Sequence, residues 1–497
     1  MELIKNQIQF CDRILDRATV YEESTDAIVP DSFPDIAHIV YAAGNTVIKD
    51  ESPQNDRILV SGTVRTTILY QPEGEDGLRE LNVPLSFAHI EEGRGITADS
   101  PCFVSCRVVG VDARAVNSRK ISVTARMCCE ANAYAPRELA ITQDVDSGEL
   151  PLELRYEEVS VPLLRTAAVR DFTVLEDLET PVTGDTRLIH TRCNLNANEV
   201  RAMRGKAVIK GDARLHTLLL EGDGLRTTEH TVPFTQILDC EGLSEDQAVT
   251  VRFAVRNVDS ELHEGGILSI GVGACALLTV TQEQTVRTIA DLYQTTHPLE
   301  VQSRTAHLIG LEPLGELHAD TGDTVQIGVR PVRVIDAYAT CYAITQEDPR
   351  TLRMTAAANM LVQQENGHPY GVSRTVSLPV SLPQPMEGGT AQGLTLSVSA
   401  TPSGEDSLSV RVHVDGKLYH RTDYALNDIT QLEVGAPEQD TRDAVTLVLR
   451  YIDGSEALWD IAKHYHTTTR AIRSANDLTA DAAEVSSRML LIPICEK

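Results

Sequence analysis

The sequence predicts a mainly β protein, with three β-sandwich-like repeats followed by a small βααβ domain. Three observations predict it. Stretches rich in Val, Ile and Thr, such as KISVTARMCC, AVTVRFAVRNV, GILSIGVGACALLTV and LTLSVSA, alternate with Gly, Asp and Pro, as strands joined by polar turns do. One pattern of such strands recurs along the chain. The last fifty residues abandon it for a helical period.

The recurrence is clearest where ILVSGTVRTTILYQPEGEDGLRELNVPLSF (58–87) is echoed by AVIKGDARLHTLLLEGDGLRTTEHTVPF (207–234), with Gly62 over Gly211 and Pro84 over Pro233. Each copy reads as a strand, an acidic Gly-containing turn and a second strand ending in Val-Pro, which is a β-hairpin. Downstream, 109–127 matches 255–274, with Asp112 over Asp259 and Ile121 over Leu268. A third, fainter copy spans 351–382, with Pro379 in the place of Pro233. The string Arg165-Thr166-Ala167 also returns as Arg304-Thr305-Ala306. The expected units are therefore 1–157, 158–297 and a degenerate 298–440, with the last domain at 445–497. Many short strands with polar turns suggest antiparallel sandwiches or open barrels. With only 4% aromatic residues, the cores must be built from Val, Leu, Ile and Ala, which suits a framework better than a deep ligand pocket.

Charge excludes several classes of partner. The 497 residues carry 44 Lys+Arg against 72 Asp+Glu, a net charge of −28, which repels nucleic acid and anionic lipid surfaces. The opening MELIKNQIQFCDR lacks the apolar run of a signal peptide, and no run of about 18 apolar residues could span a bilayer, so a cytoplasmic location is expected. Alternation places Cys102 and Cys106 on one strand face, and the adjacent Cys128 and Cys129 on opposite faces. All four are expected to be buried thiols. A zinc site usually needs two close-spaced ligand pairs, such as two C-x2-C units, and no such set occurs; His190, His216, His230 and His263 form no ligand spacing either, so no metal is expected. Gly271 to Ala276 fits a dinucleotide fingerprint, but LLTVTQEQTV follows it as a strand where the fingerprint needs a helix. Carboxylates are too abundant to single out an acid–base pair. No catalytic residue, cofactor or enzymatic activity is expected.

After the stretch 433–443, VTLVLRYI (445–452) reads as a strand and 453–455 as a turn in which Ser455 can cap a helix. Leu458, Ile461, Ala462 and Tyr465 then form one apolar helix face. A hydroxyl-capped second helix follows, with Ala471, Ile472 and Ala475 inward, ending near Asn476. MLLIP (489–493) closes as a strand. These features resemble the LysM domain: Gly454 in the turn, Leu458-Trp459, Ile461-Ala462, Tyr465, the Thr467–Thr469 cap, Ile472 to Asn476, and Leu490 to Pro493. The usual Gly-Asp-Thr turn is replaced by Gly454-Ser455-Glu456, and 481–488 lacks the common Gly. Together with the V-x-G strand and Val-Pro strand end of the repeats, the domain resembles the SipL-like family of spore-coat morphogenetic proteins.

That resemblance implies a mother-cell scaffold at the forespore surface, whose LysM domain docks on SpoIVA, a morphogenetic ATPase. The residues expected to make or shape that contact are Leu458, Trp459, Ile461, Lys463 and Ile472. The alternative is peptidoglycan, with N-acetylglucosamine chains in a shallow groove of Gly454, Ser455, Glu456, Asn476, Asp477 and Leu478. Trp459 is the single tryptophan. It either caps the small core or anchors an interface. Residues 446–497 hold six basic against seven acidic residues, leaving −27 of the charge upstream. Lys463, Arg470 and Arg473, near His464 and His466, offer a locally basic face.

Overall fold

The computed structural model describes residues 1–148, 150–222, 224–436, 446–452, 456–478 and 488–494. Eighteen strands form three six-stranded units of one plan. Unit 1 contains β1 (Glu2–Ile28), β2 (Ile36–Gln54), β3 (Arg57–Pro72), β4 (Arg79–Glu92), β5 (Cys102–Asn117) and β6 (Lys120–Asp146). Unit 2 contains β7 (Glu153–Glu179), β8 (Arg187–Met203), β9 (Lys206–Glu221), β10 (Gly224–Asp239), β11 (Ala248–His263) and β12 (Ile267–Tyr293). Unit 3 contains β13 (Leu299–Gln326), β14 (Pro331–Asp348), β15 (Thr351–Gln364), β16 (Pro369–Ser381), β17 (Gly389–Pro402) and β18 (Ser407–Val434). In each unit the second, third and fourth strands form one antiparallel sheet, and the first, sixth and fifth form another. The string Gly271 to Ala276 lies wholly within β12, with no helix after it.

Period-two alternation builds the cores. On β4, Leu81, Val83, Leu85 and Phe87 point inward while Asn82, Pro84, Ser86 and Ala88 face solvent. The inner faces of the two sheets meet in a core of Val, Leu, Ile and Ala that includes Val60, Val64, Ile121 and Ala131. The Val-Pro signature now has a cause. Pro84, Pro233 and Pro379 all lie exposed on β4, β10 and β16, the edge strands, where a missing N–H costs no ladder bond and discourages edge pairing. The shared glycine has one too: a Cβ on Gly62 would sit 2.3 Å from Val47 O, and on Gly211 2.3 Å from Asn196 O, with Phe87 and Phe234 closing the other side. Only hydrogen fits. Cys102, Cys106 and Cys129 join the unit 1 core, and Cys128 points the other way, buried beside Val109 and Ala357.

The first and last strands of each unit run 27 or 28 residues, roughly 90 Å at about 3.3 Å per residue. A sandwich covers only part of that length, and a lone two-stranded ribbon is marginal in water. The ribbons therefore bend at bulges, where Ile14, Arg165 and Leu314 are skipped in the register, and again where Gln143, Ala290 and Thr430 are skipped. Beyond the first bulges the three arms bury one another's apolar faces: Ile8 and Ile141 from unit 1, Val161, Leu163 and Val286 from unit 2, and Ala306, Leu308 and Leu426 from unit 3. This register corrects one expectation. Arg165 lies at the bulge of β7, whereas Arg304 lies ten residues before the bulge of β13, so the recurring Arg-Thr-Ala string does not mark equivalent positions.

Polar pairs, most of them half-buried, link the units. Arg192 of β8 donates to both oxygens of Asp336 on β14, at 2.5 and 2.8 Å, and stacks 4.0 Å from the centre of the Tyr338 ring. Arg252 pairs with Glu130, and Arg256 with Glu51, across units 1 and 2. Thr142 donates its backbone N–H and hydroxyl to Asp428 and to Ile429 O of unit 3.

Candidate docking module

Four short elements follow: β19 (Leu447–Ile452), α1 (Leu458–His464), α2 (Thr469–Ala475) and β20 (Arg488–Pro493), with β19 and β20 paired antiparallel. Leu458, Ile461 and Ile472 come inward at helical spacing, against Ile452, Ala462, Leu490 and Ile492. Helix α1 begins after Ala457, which makes no side-chain cap, so the structure starts it two residues later than a Ser455 cap requires. Ser455 and Gly454 lie outside the described residues, as does the loop 479–487. Thr468 caps α2 as expected, accepting from Ala471 N at 3.0 Å. Asn476 ends α2 and ties it to β20. Its amide donates to Ile472 O and Leu491 O, and its oxygen accepts from Leu491 N.

The module sits on the end of the unit 2 arm. Asp291 of β12 accepts from Trp459 Nε1 and Lys463 Nζ, each at 2.7 Å. Burial raises the Asp291 carboxyl, but the bonds from Lys463 and Trp459 outweigh it and hold the group below the usual carboxylate range. The Tyr293 ring meets the Trp459 indole edge-on at 5.0 Å and joins the module's own core, while its hydroxyl donates to Thr467 O at 2.8 Å. Arg155, from the paired strand β7, lies 5.5 Å from the indole centre.

Two stretches of the chain match the SipL, SPOCS domain family, at 35–116 and 186–263, and 456–489 matches the LysM domain. Two SPOCS domains precede a LysM domain. This is a SipL-like organisation, β-rich repeats with a C-terminal LysM domain, in a sporulation-related protein, and the matched domains belong to non-catalytic families. No curated protein and no solved structure shows a significant match to the chain. The SPOCS matches cover β2 to β5 and β8 to β11, so the long ribbon strands fall largely outside them. Strands β14 to β17 repeat the same order without a match. Among the described residues no helix is long and apolar enough to cross a membrane.

The LysM residues singled out from the sequence separate into three groups. Leu458, Ile461 and Ile472 are core, at most 2% exposed. Trp459 and Lys463 contact a surface, but that surface is the chain's own Asp291. Glu456 pairs with Arg450 at 2.7 Å, Asn476 spends its amide on the fold, Leu478 leans on the core, and Asp477 is exposed at positive φ. With Lys463 engaged, the basic face keeps exposed Arg470, His464 and His466.

Sequence reading missed Asp291 and Tyr293. They lie 168 and 174 residues before their partners and carry no local signal. It also missed the outer face of the two-stranded sheet. Leu447, Leu449 and Tyr451 stand opposite Pro493, Leu491 and Met489, and all six are apolar. Leu447, Leu449, Tyr451 and Met489 are 52, 55, 69 and 57% exposed. The run VTLVLRYI is the signal that could have found it: Val448, Arg450 and Ile452 share the face toward the helices, and the opposite face of Leu447, Leu449 and Tyr451 is apolar throughout.

Proposed function

We propose that the chain is a non-enzymatic assembly scaffold of the spore coat, in which the SPOCS units form the framework and the LysM domain docks on a SpoIVA-like morphogenetic ATPase at the forespore surface. The observation that carries this reading is the apolar outer face of β19 and β20. A contiguous patch of Leu, Tyr and Met suits a protein surface that desolvates with it, not a hydroxyl-rich glycan. Sequence departures at the expected sugar loops, and the use of Asn476 within the fold, support the same choice. The three-unit framework, linked by half-buried ion pairs, supplies a mount with the module at the end of one arm.

Two parallel captures with the full chain test it: immobilised SpoIVA-like ATPase, and insoluble peptidoglycan. Retention on the ATPase with no sedimentation on peptidoglycan is expected. Sedimentation with peptidoglycan and no retention on the ATPase would replace this reading with cell-wall binding.

A further inference from the structure

We propose that His318, His413 and Asp415 on the unit 3 ribbon form a binding site for a zinc-class divalent transition-metal ion. The sequence gives little sign of it, because the histidines are 95 residues apart. The sheet brings them together: in the register of β13 and β18, His318 faces Asp415 and Asp320 faces His413. Alternation then puts Glu316, His318 and Asp320 on one face of β13, beside His413 and Asp415 on the same face of β18.

The side chains are arranged in two layers. In the inner layer, His318 Nδ1 is 2.8 Å and His413 Nε2 is 3.1 Å from the same oxygen, Asp415 Oδ1, and one ligand atom from each residue lies within 4.8 Å of the others. In the outer layer, His318 Nε2 lies 3.1 Å from Glu316 and His413 Nδ1 lies 2.8 Å from Asp320. This is the carboxylate–histidine pairing that orients metal-ligating imidazoles and raises their basicity. Each imidazole thus bridges two carboxylates, whose hydrogen bonds hold it above the ordinary His value, so a metal ion would enter by displacing the two inner N–H protons. With those protons displaced and the outer nitrogens still donating to Glu316 and Asp320, the two inner nitrogens and Asp415 Oδ1 offer three lone pairs within 4.8 Å of one another, a set that a cation can join.

Donor chemistry selects the ion. Two imidazoles and one carboxylate suit zinc, cobalt, nickel or copper, whereas magnesium and calcium take oxygen ligands. Tetrahedral coordination at about 2.0–2.2 Å separates ligand atoms by roughly 3.4 Å, so the His318–Asp415 and His413–Asp415 spacings of 2.8 and 3.1 Å must open by roughly 0.6 and 0.3 Å. His318 is exposed, which leaves room for that adjustment. His318 and Asp415 also line a cleft of about 600 Å³ shared by the three units, so a fourth ligand can reach the ion. The ion would clip β13 to β18 where the ribbon leaves the sandwich. Among the described residues no other cluster of His, Cys, Asp and Glu gathers this way.

The test is titration of the full chain with Co²⁺ alone, read by visible absorption, followed by displacement with Zn²⁺. One Co²⁺ per chain is expected, with ligand-field bands and no thiolate charge-transfer band. His413→Ala and Asp415→Asn should each weaken binding at least 100-fold, and Glu316→Gln or Asp320→Asn about 10- to 100-fold. His307→Ala, which removes a lone His–Asp pair on the same ribbon, should leave binding unchanged. His413→Gln serves as a second variant should His413→Ala lose the wild-type circular dichroism. Absence of Co²⁺ binding, binding that survives both His413 variants, or a thiolate charge-transfer band would overturn the proposal.

Discussion

The framework and the module are held in place by different means. The three units share an arm core of eight buried apolar side chains, and paired arginines and carboxylates cross between them, so no unit can move without breaking several contacts. Among the described residues, the LysM domain rests on the framework through Asp291, Tyr293 and Arg155. A small βααβ fold with its own core needs few contacts to be placed, whereas the β-units need one another to bury ribbons that no single sandwich can cover. The framework is thus built as one body, and the module is mounted on it.

The comparison is broken most severely in the framework. Leu308→Asp puts an unpaired charge among the three arms and should abolish the single cooperative unfolding transition seen by calorimetry. The milder Leu308→Ala should cost about 2–5 kcal/mol. Next in size, Asp336→Ala leaves the Arg192 guanidinium buried without its partner and should cost about 3–5 kcal/mol in denaturant unfolding.

The same locus sets a pH dependence. Burial, then the nearby Arg192 charge, push His190 down to about 3, so it stays neutral in the folded chain while the unfolded chain protonates it near 6.5. The unfolded state binds the extra proton, so the His190 contribution is intact above about pH 6.5 and declines as pH falls toward 3. For Asp336, burial raises the carboxyl but the Arg192 bonds lower it further, and the net direction is down. Its contribution holds above the ordinary Asp value near 4 and is lost as pH drops through the depressed one. Thermal melts should therefore hold down to about pH 6.5 and fall from there to pH 4, and His190→Phe should flatten that slope.

Smaller effects belong to the mount. Asp291→Ala should release the Trp459 indole, and because Trp459 is the only tryptophan, its emission reports that event alone. A red shift and stronger acrylamide quenching are expected, with the framework transition unchanged. Smallest is Thr468→Ala, which removes the α2 cap and should cost the module about 1 kcal/mol.

Much of this architecture was legible in the chain. Alternation showed the strands, the Gly62 and Pro84 pair showed the repeat, and the helical period around Leu458 showed the LysM fold. What stayed hidden was long-range. The arms give no separate signal, because a 27-residue strand reads as two shorter ones when a bulge such as that at Ile14 interrupts its alternation. Asp291 is one acidic residue among 72 until the fold sets it under Trp459. Residue type pointed correctly to Trp459 as a contact-making side chain, but nothing local could reveal that its partner belongs to the same chain.

The central claim is that the framework presents the outer face of β19 and β20 to a protein partner. The most direct measurement is the affinity of the full chain for a purified SpoIVA-like ATPase, compared between wild type and the double variant Leu449→Glu with Tyr451→Glu. Both side chains are exposed, so wild-type circular dichroism and Trp459 emission should persist while binding falls at least 100-fold. Undiminished binding by a variant that keeps those folded signatures would contradict the account.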